Sequence, residues 1–159
     1  MQLLLTPQVT KRLLRELRRA GNREIGGLLL GEHVHDDVFR LVDITVQRTG
    51  GSSASFIRNP SDHHRELEAF FARTGGDYAR FNYLGEWHSH PGMAPIPSMT
   101  DMRSMKSISE DTSVGVNFVV LLIVSLSGRN EMSASALAFR PRVDPVPVMI
   151  IGDSINGLK

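Results

Sequence analysis

The sequence predicts an α/β fold in which a mixed central β-sheet of about six strands is flanked by helices. Three observations support this fold class. Residues 7–20 have the apolar spacing of an amphipathic helix. Residues 25–31 and 117–125 are short, nearly continuous apolar runs, which are typical of buried strands. Helical and strand patterns then alternate along the chain, as they do in α/β domains.

The composition is that of one ordinary globular domain, and we expect residues 1–159 to form a single unit. The chain has 159 residues, of which 41% are apolar and 22% charged, and its formal net charge is +1. This charge favours no particular partner, so we expect no nucleic-acid ligand. No apolar run reaches the length of a membrane span, and the N-terminus lacks the order of a signal peptide. We therefore expect a cytoplasmic protein without a membrane partner.

The chain contains no cysteine. This excludes disulfides, thiolate metal sites and cysteine-protease chemistry, so only oxygen and nitrogen ligands remain for any metal ion. A nucleobase deaminase, which is another kind of zinc enzyme, is disfavoured for the same reason, because such enzymes usually bind zinc through paired cysteines.

The first predicted helix, residues 7–20, is strongly basic. Thr6 can cap it, Pro7 suits its first turn and Gly21 can end it. The side chains outside its apolar stripe are Lys11, Arg12, Arg15, Arg18 and Arg19. Such a face could bind nucleic acid or an acidic partner, although a solvated surface is the commoner meaning. No aromatic residues interleave with these charges, which weakens the nucleic-acid interpretation.

Two strand patterns follow, over residues 25–31 and 38–47. Glycines early in the first strand pattern indicate close approach by a neighbouring backbone. Glu24 immediately precedes this pattern. Taken alone, Glu24 would be interpreted as half of a surface ion pair. Between the two patterns lies HVHDD, residues 33–37, which offers a His-x-His pair with carboxylates nearby. We interpret it as the polar turn of a hairpin and not as the metal site.

A flexible loop over residues 49–53 and a short strand over residues 54–58 lead to a second helix, predicted over residues 61–73. The side chains expected to face inward are Leu67, Phe70 and Phe71. His63 and His64 are adjacent, so their side chains leave the helix in different directions and cannot chelate one ion together. We expect both to be polar surface residues.

The stretch GEWHSHPGMAPIPSMTDMRSMKSIS, residues 85–109, carries the predicted chemistry. His88 and His90 end a strand predicted over residues 81–90, so both imidazoles leave the same face of that strand. A stiff loop with two prolines follows, and Ser98 then opens a helix with Asp101 in its first turn. Two imidazoles and one carboxylate, together with a water, complete a tetrahedral zinc site of the open, catalytic kind.

Alternative roles exist for several of these residues. Ser98 and Asp101 also form a good N-cap sequence, although capping and metal binding are compatible. Glu86 shares the strand face of the two histidines, so it competes with Glu24 for the role of base, or it orients an imidazole. Trp87 points to the opposite face and is expected in the core.

The last two elements are less regular. Residues 132–139 alternate imperfectly, which favours a strand nearer the edge of the sheet. Residues 143–159 contain Pro145 and Pro147, which exclude a central position. We expect an edge strand or a C-terminal tail there.

The order His-Ser-His-Pro, six residues, Ser-Met-Thr-Asp resembles the JAMM motif of the JAB/MPN+ metalloprotease family. The upstream half of the family pattern matches Glu24 followed by IGGLLLG. The resemblance implies the JAB/MPN (cytidine-deaminase-like) fold, with Zn²⁺ bound by His88, His90 and Asp101. It further implies that Glu24 deprotonates the metal water and passes the proton to the leaving amine, while Ser98 hydrogen-bonds the developing oxyanion.

The segments FIRNPSDHH and YLGEWHSHP are similar to the short bacterial branch of this family. Members of that branch occur in operons with ubiquitin-transfer-like enzymes, antiphage defence systems included. The resemblance therefore implies hydrolysis of the amide after the C-terminus of a ubiquitin-like or conjugated protein, with an E1- or E2-like operon partner. Two alternatives stay open: processing of a sulfur-carrier protein or small peptide, and a non-catalytic interaction module.

Overall fold

The computed structural model describes residues 1–48 and 60–152. The helices are α1 (Pro7–Ala20), α2 (Pro60–Arg73) and α3 (Met99–Glu110). The strands are β1 (Gln2–Leu5), β2 (Gly26–His35), β3 (Val38–Ile44), β4 (Phe81–Ser89), β5 (Val119–Leu126), β6 (Met132–Phe139), β7 (Val146–Pro147) and β8 (Met149–Gly152). The α/β class with a mixed sheet is confirmed, but the described residues form eight strands instead of about six. The predicted loop at 49–53 and strand at 54–58 lie outside the described residues.

The strands form one sheet in the order β7-β6-β5-β4-β2-β3-β1-β8. The parallel pairs are β4 with β5, β1 with β3, and β1 with β8. β7 and β8 are consecutive in the chain, yet they lie at opposite edges of the sheet. The N–H of Val148 donates to the carbonyl of Ala136 on β6 (2.9 Å), and the N–H of Met149 donates to the carbonyl of Met1 (3.2 Å). This segment therefore connects the two edges, which limits the unpaired backbone at each of them.

Helix α1 begins and ends where the sequence predicts. The hydroxyl oxygen of Thr6 accepts the N–H of Val9 (3.4 Å), and Gly21, at φ +61°, donates its N–H to the carbonyl of Leu17. The apolar stripe of the helix is buried against one face of the sheet. Its arginines project from the rest of its surface. None of the helices in the described part of the chain combines the length and apolarity that crossing a bilayer requires.

The opposite face of the sheet carries α3. Met105 packs there against Val119, Leu121 and Ile123 of β5. On α2, Phe70 is buried as predicted, while Leu67 and Phe71 are only half-buried.

The surface prediction for His63 is wrong, because its side chain is buried in a polar network. Its Nδ1 lies 2.7 Å from the hydroxyl of Thr45, and its Nε2 lies 3.3 Å from the amide oxygen of Gln47. Thr45 also accepts the N–H of Leu28 through its hydroxyl and the indole N–H of Trp87 through its carbonyl. The network joins α2 to the sheet. His64 is exposed, as predicted, and Trp87 lies in the core.

The prediction that HVHDD forms a hairpin turn is also only partly correct. Strand β2 continues through His35, and the turn consists of Asp36 and Asp37 alone. Pairing extends this far because His33 lies opposite Phe39 on β3 and stacks on its ring at a centroid distance of 5.0 Å. His33 and His35 are both exposed.

Candidate metal centre

Strand β4 delivers the two predicted histidine ligands into a buried position. It lies between β2 and β5, and residues 84–90 are all buried. The alternation of a strand sends His88 and His90 to one face. Their Nε2 atoms lie 3.2 Å apart. Both residues are buried, with 3% of His88 and 6% of His90 exposed.

The first turn of α3 brings Asp101 to the same point. Ser98 and Asp101 form a capping box, in which the Ser98 hydroxyl oxygen accepts the N–H of Asp101 (3.1 Å) and Asp101 Oδ2 accepts the N–H of Ser98 (2.7 Å). The other carboxylate oxygen, Oδ1, lies 3.5 Å from Nε2 of His88. Oδ2, which fixes the helix start, lies 3.9 Å from Nε2 of His90, so each carboxylate oxygen is near one imidazole.

The spacing of these three side chains fits a tetrahedral metal ion. Their ligand atoms all lie within 4.8 Å of one another. Two nitrogens bound to one zinc at its usual bond length and a tetrahedral angle lie roughly 3.3 Å apart. The Nε2 separation of 3.2 Å is close to that value. The three donors leave a fourth position for water or substrate, as open zinc sites do.

The electrostatics keep Asp101 ionised. Burial raises the pKa of its carboxyl group, but hydrogen bonds from His88 and Ser98 outweigh that effect and lower the pKa to about 2. The side chain is therefore a carboxylate at neutral pH, which metal binding requires.

Hydrogen bonds hold the histidine strand in register with its neighbours. The hydroxyl oxygen of Ser89 accepts the N–H of Ile25 (3.0 Å), and the N–H of Ser89 donates to the carbonyl of Ile25 (2.8 Å). On the other side, the Ser125 hydroxyl donates to the carbonyl of His90 (2.9 Å). We did not predict these serines. The position of Ser89 between two inward histidines indicates that it faces the other way, whereas nothing local to Ser125 reveals its partner.

The loop between the ligands is held at two consecutive residues in its middle. Nδ1 of His90 lies 3.4 Å from the carbonyl of Ala94. A donor hydrogen on Nδ1 leaves the lone pair of Nε2 for a metal. The Ser135 hydroxyl of β6 donates to the carbonyl of Pro95. The loop thus fixes the orientation of one imidazole.

Comparisons with known proteins agree with the fold. Residues 6–138 match the family described as prokaryotic homologs of the JAB domain. The chain belongs to this family. The JAMM-type resemblance inferred from the motif is thereby confirmed.

Several relatives of this JAB-family chain carry isopeptidase or hydrolase names. A CD-NTase/cGAS isopeptidase of Enterobacter hormaechei is 30% identical over 145 residues, which are 89% of this chain and 77% of that protein. A CD-NTase/cGAS isopeptidase of Vibrio cholerae is 33% identical over 104 residues, 64% of this chain and 61% of that protein. The ubiquitin carboxyl-terminal hydrolase RPN11 of Saccharomyces cerevisiae is 29% identical over 126 residues, 79% of this chain but 40% of that protein.

A solved structure shares the JAB-like fold. The solution structure of a Desulfitobacterium hafniense protein superposes with a TM-score of 0.71 over 96% of this chain and 94% of that one, at 21% sequence identity. At this identity the likeness concerns the fold alone.

In this JAB-family chain, Glu24 lies at the same edge of the sheet as the metal centre. Strand β2 pairs with β4 so that Gly26 is opposite His88. Glu24 precedes β2 and His90 follows β4, and the register carried two residues beyond this last pair would set them opposite each other, on one face of the sheet. Glu24 is half-buried, whereas Ser98 is exposed at the helix start.

Glu86, the alternative base, does not belong to the convergent set. It is buried, and it lines a cavity of about 950 Å³ with Tyr83. Burial and the charge of Glu86 together raise the pKa of Tyr83 well above its usual value. The ligand atoms that converge are those of His88, His90 and Asp101.

Proposed function

We propose that this chain is a zinc-dependent isopeptidase that hydrolyses the amide bond after the C-terminus of a ubiquitin-like or otherwise conjugated protein. The observation that carries the proposal is the buried convergence of His88, His90 and Asp101 with ligand atoms within 4.8 Å of one another. The relatives named isopeptidases support the reaction class.

The same relatives support a conjugated nucleotidyltransferase as the substrate, since their names contain CD-NTase and cGAS. The motif resemblance to the short bacterial branch supports a cytoplasmic role in antiviral defence beside an E1- or E2-like partner. These are proposals for this chain.

In the proposed mechanism, His88, His90 and Asp101 hold the metal ion. When bound, zinc supplies Lewis acidity toward the scissile carbonyl and toward a water molecule. Glu24 takes a proton from the attacking water and later delivers it to the leaving amine nitrogen. The register of β2 and β4, continued by two residues, supports this role because it would set Glu24 opposite His90.

Ser98 stabilises the charge that develops on the carbonyl oxygen. Its hydroxyl oxygen accepts the N–H of Asp101, and its rotatable O–H would turn from the Asp101 carboxylate to a substrate oxygen. Its exposure beside the buried ligands supports contact with a substrate.

The proposal is tested with Glu24→Gln and Asp101→Asn in parallel. Glu24→Gln should keep the wild-type zinc content but lower the cleavage rate by roughly 10²- to 10⁴-fold, because the proton acceptor is lost. Asp101→Asn keeps an oxygen that can accept the Ser98 N–H but loses the anionic ligand, so zinc and cleavage should disappear together. Zinc is measured by elemental analysis, and cleavage on a fusion of the ubiquitin-like or nucleotidyltransferase protein encoded beside this chain.

Two results would contradict the proposal. Wild-type protein without zinc under metal-replete conditions favours an interaction module. Full activity in Glu24→Gln assigns the base elsewhere, and Glu86→Gln, assayed alongside, identifies the alternative.

A further inference from the structure

Five arginines form an exposed basic surface on and beside the C-terminal half of α1. We refer to it as the arginine cluster, and its members are Arg15, Arg18, Arg19, Arg23 and Arg48. Three of them surround the carboxylate of Glu16, with Arg48 Nη2 at 2.8 Å, Arg15 Nε at 3.5 Å and Arg19 Nη1 at 3.7 Å. Glu16 therefore holds together guanidinium groups from α1 and from Arg48, which follows β3 in the chain.

The charge of this cluster is not balanced at the surface. The side chain of Glu16 is only 2% exposed, whereas those of Arg15, Arg19 and Arg48 are 54–63% exposed. Burial raises the pKa of Glu16, but the bond from Arg48 and the nearby arginine charges outweigh it, so the pKa is lowered. The buried carboxylate thus holds the arginines in place, while its own charge is not accessible to a ligand.

The other two members are held by neutral acceptors. Arg18 donates to the carbonyl of Arg129 (3.0 Å) and to the side-chain oxygen of Asn130 (2.5 Å), and Arg23 donates to the carbonyl of Ala20. Arg12 and Arg73, by contrast, share the carboxylate of Asp43, whose side chain is 24% exposed. The cluster therefore combines five exposed guanidinium groups with one buried carboxylate.

The cluster adjoins the candidate metal centre. Arg23 immediately precedes Glu24, and Arg48 follows Gln47, whose partner across the sheet is Gly26. A cavity of about 220 Å³ lies between the end of α1 and the end of the histidine strand. Its lining includes Arg23, Ser89, Pro91 and Gly92. A protein docked over this end of the sheet would thus reach both the metal centre and the arginines.

Helix-dipole stabilisation accounts for only part of this pattern. It favours cations in the last turn of α1, where Arg18 and Arg19 lie. It does not account for Arg48, which is on another element. Guanidinium groups bind carboxylates and phosphates bidentately, so the ligand should be anionic, either an acidic protein surface or a nucleic acid. Nucleic-acid surfaces of this kind usually add aromatic side chains for stacking, and Tyr78, the one large aromatic among the exposed apolar residues described, lies beyond the end of α2.

We propose that the arginine cluster docks an acidic surface segment of the protein whose conjugate is cleaved. This inference rests on the proposed function for the identity of the partner. The binding surface itself can be tested without cleavage.

The test uses the full chain and a fluorescein-labelled decaglutamate peptide, with binding followed by fluorescence anisotropy. The variant is Arg15→Gln with Arg19→Gln, which removes two exposed charges. Arg48 is kept because it bonds the buried Glu16. The matched control is Arg65→Gln with Lys106→Gln, which removes two exposed charges from α2 and α3. Zinc content and thermal unfolding establish that both variants are folded.

The cluster variant should bind decaglutamate about tenfold more weakly than wild type, and the control should change less than about twofold. On the conjugate, the cluster variant should raise KM with kcat unchanged. Equal peptide affinity in all three proteins, or equal weakening in both variants, overturns the proposal. A ten-residue oligothymidylate serves as the nucleic-acid probe. If it binds wild type more tightly than decaglutamate does, and the cluster variant no longer binds it, the proposal is overturned in favour of nucleic acid. Peptide binding that depends on the cluster, in a protein that cleaves no conjugate, supports the docking surface while refuting the isopeptidase.

Discussion

Strands β2 and β4 are antiparallel neighbours, and each carries a His-x-His segment near its C-terminal end. The two segments therefore lie at opposite ends of the strand pair. Each also has a carboxylate nearby, Glu32 beside His33 on β2 and Asp101 beside the histidines of β4. The two His-x-His segments thus have similar residue types at the same histidine spacing.

Their surroundings differ in burial and in the partner of the carboxylate. The histidines of β4 are buried, whereas His33 and His35 are exposed. Glu32 accepts hydrogen bonds from Arg40 (2.5 Å) and Arg80 (2.6 Å), so its charge is neutralised by guanidinium groups. Asp101 instead faces imidazoles and a helix start. Burial and the partner of the carboxylate thus distinguish the candidate metal centre on β4 from the ion-pair surface on β2.

The largest contrast should come from replacing each histidine pair. His88→Ala with His90→Ala removes two of three zinc ligands, so the zinc content should fall from about one per chain to none and cleavage should stop. His33→Ala with His35→Ala should leave both unchanged. Elemental analysis and the cleavage assay measure these outcomes. Loss of zinc from the variant with His33→Ala and His35→Ala would show that the metal is bound on β2 and not on β4.

A second contrast concerns a glycine on each strand. A Cβ at Gly85 would lie 2.0 Å from the backbone oxygen of Val120, at φ +145°, so Gly85→Ala should destabilise the fold by about 3–5 kcal/mol. A Cβ at Gly31 would lie 2.1 Å from the terminal methyl of Leu84, a side chain that can move, and 2.9 Å from a backbone oxygen of Arg40. We expect Gly31→Ala to cost about 1–3 kcal/mol. Urea unfolding measures both, and equal costs would refute the rigid contact between β4 and β5.

The smallest contrast is in the pH dependence of stability of the metal-free protein. Burial raises the pKa of Glu32, but bonds and charges from Arg80 and Arg40 outweigh it, so the folded-state pKa is lowered. A lowered folded-state pKa contributes stability above the ordinary value of 4.5, and this stability is lost as the pH falls through the folded-state pKa. Glu32→Gln should therefore cost about 1 kcal/mol at pH 7 and flatten this acid limb.

Asp101 can be compared with Glu32 in the same measurement of stability against pH. Its pKa is lowered from 3.8 to about 2, so its contribution should be lost only between those values. Asp101→Asn should therefore flatten the limb between pH 3.8 and about 2. Urea unfolding at several pH values measures both, and an unchanged acid limb in Glu32→Gln would contradict the assigned ion pairs.

The sequence predicted most of the regular elements and the converging ligands for a physical reason. Helix α1 has an apolar period and local caps, and strand β6 was predicted with its observed bounds. His88, His90 and Asp101 were predicted together because they flank one short loop, so their proximity depends on few torsion angles. The proposed roles of Glu24 and Ser98 stay predictions.

What the sequence did not reveal depends on partners far along the chain. β1 was not predicted, because its four residues are strand only through pairing with β3 and β8. The burial of His63 requires Thr45 and Gln47 from another strand segment, and the two edges of the sheet are connected only through β7 and β8.

By itself, the sequence determined the fold class, the helix ends and which residue types could bind a metal, because those follow from local periodicity, capping and spacing. The sequence also favoured the second His-x-His segment, but only the tertiary structure showed how the surroundings of the two segments differ. Burial and the charge of a neighbouring side chain are set by elements that the chain brings together from a distance, and these two quantities distinguish a carboxylate that faces arginines from one that faces two imidazoles.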